Sequence, residues 1–416
     1  MMKEKTRLIV LTDISSLRAD RGEPDDTQSL IRLLLYANEL QLEGLVATYS
    51  AHLEGCDPAL IHRVLDVYAQ VRPNLVLHDA AYPPAEQLHG VVAAGSPRCG
   101  MDQVGEGGDT EGSELIIRTV DRKDPRPVWI TVWGAPTDLA QALWKVEYTR
   151  SKAEAAAFRA KIRVHAIHDQ YDGSGPWIRK TFPDVFYLTS YKVFRGMYRA
   201  GDESLSSPEW VRAHVTEGHG PLGAIYPVYD GGDNIGPVKG MKEGDSPSFL
   251  YLIPNGLNDP EKPEQGSWGG RFRQTGARQY SDGVESIPGE TSERASAARW
   301  RQAYQADFAA RMDWCVLPYA EGCHSPRVQL ETARMITARP GDTVELRVRA
   351  EDPDGSELTC SWSQESGVPA DVEGRGTWAR VIIPEKASGR MDVLFTARKQ
   401  SDHPLERYAR TEIHIK

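Results

Sequence analysis

In the first half of the chain, short apolar runs alternate with stretches whose apolar side chains recur every three or four positions. Arg7–Asp13 is mostly apolar and ends in a carboxylate, as a strand buried on both faces of a parallel sheet does. Asp26–Leu40 carries apolar residues at 30, 33, 34, 37 and 40, the spacing of one helix face. Gly44–Ser50, Val128–Trp133, Ile162–Ile167 and Phe186–Thr189 read as further strands. Pro58–Ala69 and Thr137–Lys145 read as helices. Strands alternating with helices predict βαβ units and a mostly parallel sheet with helices on both faces. Ligands of such a sheet bind at the carboxyl ends of its strands.

Between Gly218 and Pro288 the periodicity fades into Gly, Pro, Asp and aromatic residues, broken by one apolar segment, Ser248–Ile253. A structureless loop of that length is improbable inside a domain, so long ordered loops capping a site are expected. Arg294–Asp313 then reads as a helix, with Trp300, Tyr304, Phe308 and Met312 four apart. Beyond Pro326 the period becomes two. Thr343–Ala350, Leu358–Gln364, Ala379–Ile383, Met391–Ala397 and Arg410–Ile415 predict a C-terminal antiparallel β-sandwich of Ig-like texture. The pattern divides the chain into an α/β unit, 1–322, and a sandwich, 323–416.

Composition narrows the function classes. The chain has 416 residues, enough for two or three domains, and its 59 acidic against 49 basic side chains leave a formal charge of −10. That balance argues against a nucleic-acid or anionic-membrane partner held by bulk electrostatics. The longest apolar runs, such as Leu33–Ala37, fall far short of the roughly 18 residues a membrane helix needs. The N-terminus enters Leu8–Leu11 directly and does not read as a signal peptide, so the expected form is cytoplasmic, or secreted or periplasmic after removal of a leader. The five cysteines show no metal-like spacing; Cys315 and Cys323 flank a turn that would suit a local disulfide, the alternative being five free thiols.

The residues with most chemical content are Thr12-Asp13 and, ten positions beyond Asp13, Glu23-Pro24-Asp25-Asp26-Thr27. In a βα unit the end of the strand and the start of the helix are neighbours, so Asp13, Asp25 and Asp26 converge at the top of the sheet. Three uncompensated carboxylates repel one another, and a bound cation is the natural remedy; oxygen-only ligands suit Ca²⁺ or Mg²⁺. Taken singly, Asp25 or Asp26 also reads as an ordinary helix cap.

This pattern resembles the nucleoside hydrolase superfamily, whose first strand ends in Asp-x-Asp-x-x-x-Asp-Asp and holds a catalytic calcium. Asp13 matches the second Asp of that motif and Asp25-Asp26 its terminal pair. Leu11 stands where the first Asp belongs, and eleven residues separate Asp13 from Asp25 where the family has three. Trp133-Gly134-Ala135-Pro136-Thr137-Asp138-Leu139-Ala140 is similar to the family's Gly-Pro-Leu-Thr-Asn-Leu-Ala turn, and Asp245 in Glu243-Gly244-Asp245-Ser246-Pro247-Ser248 resembles its late Asp. The segments 23–30, 169–179, 244–257 and 268–271 resemble one branch more closely, the bacterial cellulose-binding proteins with a nucleoside-hydrolase-like domain and a small β-sandwich. Members of that branch are usually secreted.

The resemblance implies metal ligands Asp13, Asp26, Asp245 and the Trp133 carbonyl, with Asp13 also as the general base toward water and Asp25 on a sugar hydroxyl. Asp169, Gln170, Asp172 and Trp177 fall where nucleoside hydrolases bind ribose, but the Glu-Phe-Asn pattern used there is absent. Trp177, Trp268, Tyr171 and Tyr229 are candidates to stack on sugar rings or to be core. Arg271 would contact a substrate acid or pair with a carboxylate. His168 and His219 are candidate proton donors, and Asp109 and Glu111 candidates to enter from a preceding loop or to cap its helix. Asp352-Pro353-Asp354-Gly355 reads as a hairpin turn or a second calcium loop. The leading expectation is a calcium-dependent glycosyl hydrolase acting on a glycan or glycoside. The alternatives are a non-catalytic carbohydrate (cellulose)-binding protein and, last, a nucleoside N-ribohydrolase. Homo-oligomerisation is left open.

Overall fold

The structure is a computed structural model that describes residues 4–171 and 173–416. Its larger unit is built on an eight-stranded sheet. The first six strands are β1 (Thr6–Thr12), β2 (Leu40–Ala47), β3 (Val92–Ala94), β4 (Val128–Val132), β5 (Ile162–Ile167) and β6 (Phe186–Ser190). After a two-stranded ribbon, β7 (Tyr229–Asp233) with β8 (Gly236–Gly240), come β9 (Phe272–Gln274) and β10 (Gln279–Asp282). The spatial order is β3-β2-β1-β4-β5-β6-β10-β9, and every pair is parallel except β9 with β10.

The continuous apolar run of β1 follows from its position. Leu8 and Val10 enter the core under one face of the sheet, whereas Ile9 and Leu11 enter the core under the other. The helices of the first half are α1 (Asp25–Leu34), α2 (Pro58–His78), α3 (Ala85–His89), α4 (Glu111–Val120), α5 (Thr137–Thr149), α6 (Lys152–Ala160) and α7 (Ser174–Thr181). Leu30, Leu33, Val64 and Leu65 of α1 and α2 fill the first core; Leu115, Leu139, Leu143 and Phe158 of α4, α5 and α6 fill the second. Burying such side chains contributes about 1.5–3 kcal/mol each. At Gly44 on β2 a Cβ would stand 2.5 Å from Leu115, so a glycine lets α4 approach the sheet.

Some elements differ from the pattern-based boundaries. Helix α1 stops at Leu34, and β2 starts already at Leu40. Ala37 and Leu40 are buried, but in the turn and the following strand, because an apolar position facing the core looks the same in either element. Helix α2 runs past Pro73 to His78. The predicted helix 294–313 is two, Ala295–Ala298 and Arg301–Asp313. Part of the expected loop region 218–288 extends the main sheet through β9 and β10.

The C-terminal unit has two four-stranded sheets. One holds β13 (Arg327–Leu330), β15 (Thr343–Glu351), β18 (Trp378–Ile382) and β17 (Asp371–Arg375); the other holds β14 (Met335–Ala338), β20 (Glu406–Ile415), β19 (Gly389–Lys399) and β16 (Leu358–Gly367). A small hairpin, β11 (Glu285–Ile287) with β12 (Glu290–Ser292), precedes the unit. All sandwich pairs are antiparallel except β14 with β20. Leu346, Val381, Met391, Val393 and Ile413 are fully buried between the sheets.

The sandwich is fastened to the α/β unit by polar groups. Arg407 donates to Asp307 at 2.8 Å, and Arg410 donates to the carbonyls of Leu257 (2.6 Å) and Gln265 (3.0 Å). The Tyr408 amide donates to the Asn255 carbonyl at 2.9 Å. Cys315 and Cys323 are not bridged: Cys315 Sγ meets the Arg311 carbonyl and Cys323 Sγ meets Ser401 Oγ. Among the described residues, no helix is long and apolar enough to cross a membrane.

Candidate functional site

The carboxyl end of β1 and the first turn of α1 meet as the βα geometry requires. Asp25 and Asp26 occupy that first turn, where the helix dipole favours negative charge, and neither is the cap residue, which is Pro24. Asp13, Asp26 and Asp245 are buried, at 8 %, 5 % and 2 % exposure. Asp25, Asp26 and Asp245 each bring a carboxylate oxygen within 4.8 Å of the others. Asp13 lies directly behind them against Gly134, where a Cβ would stand 2.6 Å from its carboxylate.

Compensation within this group is meagre. Thr12 Oγ1 donates to Asp26 Oδ1, and Tyr171 donates its hydroxyl to Asp13 Oδ2 at 2.5 Å. Asp25 Oδ1 and Asp245 Oδ2 are buried without a hydrogen-bond partner. Burial and the neighbouring acids Asp25 and Glu23 outweigh the Tyr171 hydrogen bond, and Asp13 is pushed up to about 7. Burial also lifts Asp25, Asp26 and Asp245 well above the usual carboxylate range, and mutual repulsion adds to it. Unpartnered carboxylate oxygens converging at a strand end have the donor chemistry of a hard divalent cation site. Asp25, expected on the substrate, sits within the same cluster and also lines the cavity.

One cation of the chain intrudes. Lys242, 5 % exposed in its side chain, pairs with Glu23 and stands 4.0 Å from Asp25. Burial opposes its charge, yet Asp25 and Glu23 prevail and hold its ammonium above the ordinary lysine value. The segment inserted between Asp13 and Asp25 therefore has a visible outcome: it delivers Glu23 to Lys242. Next to it Glu243, completely buried, binds Arg32 of α1 and takes the hydroxyl of Tyr226 at 2.6 Å. The sequence reading missed Lys242; the only signal was a Lys-Glu pair set in a buried Met-x-x-Gly stretch.

The segment after β5 supplies the facing groups. His168, Asp169 and Tyr171 all have positive φ, 69°, 45° and 71°, a conformation that costs a non-glycine residue about 1–3 kcal/mol. Asp169 anchors this strained turn: it accepts the Tyr187 hydroxyl at 2.7 Å and is ion-paired with Arg179. The structure thus sets it in support of the turn and outside the cavity lining, where a sugar ligand was expected. Gln170 does reach the site, donating its amide to the Trp133 carbonyl. Trp133 itself is fully buried, its indole donating to Ser248 Oγ at 2.8 Å. Asp172 lies outside the described residues.

For three further candidates the structure takes the second of the alternatives left open, core or ion pair, and not the substrate site. Trp177 is on α7, edge-on to Phe182 and packed against the second core, away from the cavity. Trp268 is completely buried and donates to the Tyr408 hydroxyl at 3.3 Å, a contact between the two units. Arg271 is paired with Glu285 and the Glu264 carbonyl. A sequence marks such residues as large or charged without showing which way they point. His219 is bound to Asp313 at 3.0 Å, Asp109 to Lys145 at 2.6 Å, and Glu111 accepts the Ala94 amide at 3.2 Å, all away from the cavity. Tyr229 turns its hydroxyl to the Gly232 carbonyl. Asp354, in the sandwich turn, is taken by Lys399 and His324.

The cavity above the carboxylates has a volume of about 480 Å³, in the range of pockets for small ligands. Glu23, Asp25, Lys242 and Asp245 line one part of it; His168, Gln170, Phe194, Arg195, Tyr198 and Asp233 line another. Phe194 and Tyr198 are its aromatic lining, with Tyr191 edge-on to the lining residue His168 at 5.6 Å.

Residues 7–272 match the family model described as cellulose-binding Sde182, nucleoside hydrolase-like domain. The chain belongs to this family. A solved relative agrees over the whole length: a nucleoside hydrolase-related hypothetical protein from Saccharophagus degradans, associated with carbohydrate metabolism. It is 34% identical with a TM-score of 0.84, covering 99% of this chain and 100% of that one. Far weaker is the likeness to fibronectin(III)-like modules of Clostridium thermocellum CbhA, 14% identical, TM-score 0.17, over 22% of this chain and 47% of that one. No curated protein sequence matches the chain. Family membership covers both the α/β domain and, through the solved relative, the appended sandwich.

Proposed function

We propose that this family member is a divalent-cation-dependent glycosyl hydrolase acting on a glycosidic bond of a glycan. The observation that carries the reading is the convergence of Asp25, Asp26 and Asp245 beside Asp13, buried with two carboxylate oxygens unpartnered. The family description and the carbohydrate-associated relative support a carbohydrate as the ligand. When bound, Ca²⁺ (or Mg²⁺) held by Asp25, Asp26, Asp245 and Asp13 would offset the repulsion and orient two sugar hydroxyls.

The chain's own residues do the rest. Asp13 takes a proton from water at Oδ1 while Tyr171 holds Oδ2 in place. Asp25, at the cavity wall, accepts a sugar hydroxyl, and the surrounding carboxylates stabilise the positive charge that develops as the glycosidic bond opens. Burial and Arg195 hold His168 below its ordinary value, so at neutral pH it binds as a neutral imidazole. Phe194 and Tyr198 in the lining offer aromatic surface to a sugar ring. A polysaccharide too large to cross a membrane is met outside the cytoplasm, which favours a secreted or periplasmic protein.

The test joins metal analysis of the purified protein to a hydrolysis screen of glycosides, polysaccharides and nucleosides with wild type and Asp13→Asn. Stoichiometric Ca²⁺ and turnover abolished by Asp13→Asn are expected. Absence of any bound divalent ion under native conditions would sink the mechanism. A second reading, carbohydrate binding without turnover, is favoured by Leu11 in place of an acid and by Tyr171 already occupying Asp13. It prevails if insoluble cellulose is retained while every substrate survives.

A further inference from the structure

The cavity is electrically divided. Apart from the carboxylates and Lys242, its lining contains Arg195 and Asp233, and Arg199 stands behind Asp233. Two guanidinium groups share this single carboxylate. Arg199 Nη2 lies 3.1 Å from Asp233 Oδ1, and Arg195 Nε lies 3.5 Å from Oδ2, in ion-pair contact but without a hydrogen bond. Arg195 Nε, Arg199 Nε and Asp233 Oδ2 are all buried without hydrogen-bond partners. Asp233 itself is only 6 % exposed in its side chain.

Arg195 is also held rigidly. It follows β6 in a tight turn, its guanidinium lies 4.4 Å over the Phe194 ring, and its Nη1 donates to the Tyr191 carbonyl at 3.1 Å. A stacked arginine with donors to spare is preorganised for the planar or trigonal oxygens of an anion. Two guanidinium groups against one carboxylate leave this wall of the cavity locally positive, a charge that a neutral glucan would not match.

We propose that the cavity takes an anionic sugar, whose carboxylate or sulfate group binds at Arg195 while its hydroxyls face Asp25. This rests on the reading that a glycan occupies the cavity. It narrows the ligand to a class defined by charge, with uronates and sulfated sugars as the two sources of that chemistry.

Calorimetric titration of the full chain with trigalacturonate, a sulfated galactotriose, neutral galactotriose and cellotriose tests it, with Ca²⁺ and again with EDTA. At least one anionic trisaccharide is expected to bind about tenfold or more tightly than the neutral ones, and its identity separates carboxylate from sulfate. Arg195→Gln is expected to abolish that preference and Arg195→Lys to restore part of it, whereas Asp25→Asn weakens all ligands alike. Equal affinities in the wild type, or equal losses for charged and neutral sugars in Arg195→Gln, overturn the charge assignment and leave the glycan reading standing. Binding that ignores Asp25→Asn, or no binding of any sugar, overturns both. The wild-type comparison decides even if the variants fail to fold.

Discussion

Asp307 and Asp245 are both 2 % exposed, yet their surroundings pull in opposite directions. Asp307, on the helix Arg301–Asp313, receives Arg311 at 2.7 Å and, across the domain boundary, Arg407 at 2.8 Å. Burial opposes its charge, but the two guanidiniums win and hold its carboxyl well below the usual range. Arg311 is in turn fixed by Glu39, Asn38 and the Leu35 carbonyl. Asp245 has no such partner; burial and then Asp26, Asp25 and Asp13 push it up. A buried carboxylate that is fully paired joins two parts of a fold. One left facing other carboxylates is where a bound cation would relieve the repulsion.

The contrast can be broken by removing one member of each group. Asp307→Ala strands Arg311 and Arg407 in the domain junction and should cost about 3–5 kcal/mol of stability by urea unfolding. Asp245→Asn relieves repulsion and should leave the cation-free protein unchanged or firmer by up to about 1 kcal/mol. Equal losses in the two variants would show that the carboxylate cluster is as structural as the ion-pair network.

Acidity separates the two groups by sign. Asp307 has a depressed folded pKa, so its contribution is present above the unfolded carboxylate value and is lost as pH falls through the folded one. Asp13 runs the other way: its ionisation penalty is absent below the ordinary carboxylate value of 3.8 and complete above about 7. At about 1.4 kcal/mol per pH unit, that penalty reaches roughly 4 kcal/mol in EDTA. Unfolding curves from acid to neutral pH for wild type and Asp13→Asn should differ in slope within this window. Parallel curves would mean that Asp13 is not perturbed.

Calcium should remove much of that penalty. At about 100 times its dissociation constant, a cation bound only to the folded state adds about 2.7 kcal/mol. The gain should vanish in Asp245→Asn and persist in Asp307 variants that still fold. The smallest expected effect belongs to Tyr171→Phe, which removes one hydrogen bond from Asp13 and should cost about 1 kcal/mol, read by thermal unfolding.

Much of the fold was legible because burial imposes period. The parallel strands appear as short apolar runs ending in polar residues, and the sandwich as strict alternation from Thr343 onward. Asp13, Asp25 and Asp26 were legible for a related reason, since a strand end and the following helix start are neighbours in any βα unit. The sequence left Trp177, Trp268 and Arg271 undecided and set Asp169 on the substrate, because residue type does not reveal direction; the partners that claim them are Phe182, the sandwich residue Tyr408, Glu285 and Tyr187. Lys242 escaped notice since its meaning depends on Glu23 and Asp25, more than two hundred positions earlier.

By itself the sequence determined the α/β unit followed by a sandwich and the acidic cluster at the end of β1, because local periodicity and chain adjacency suffice for both. Only the tertiary structure decided which carboxylates stay unpaired, that Lys242 and Arg195 share their cavity, and that Tyr171 rests on Asp13. Those facts depend on where distant charges come to lie, and electrostatic compensation is a property of neighbours in space.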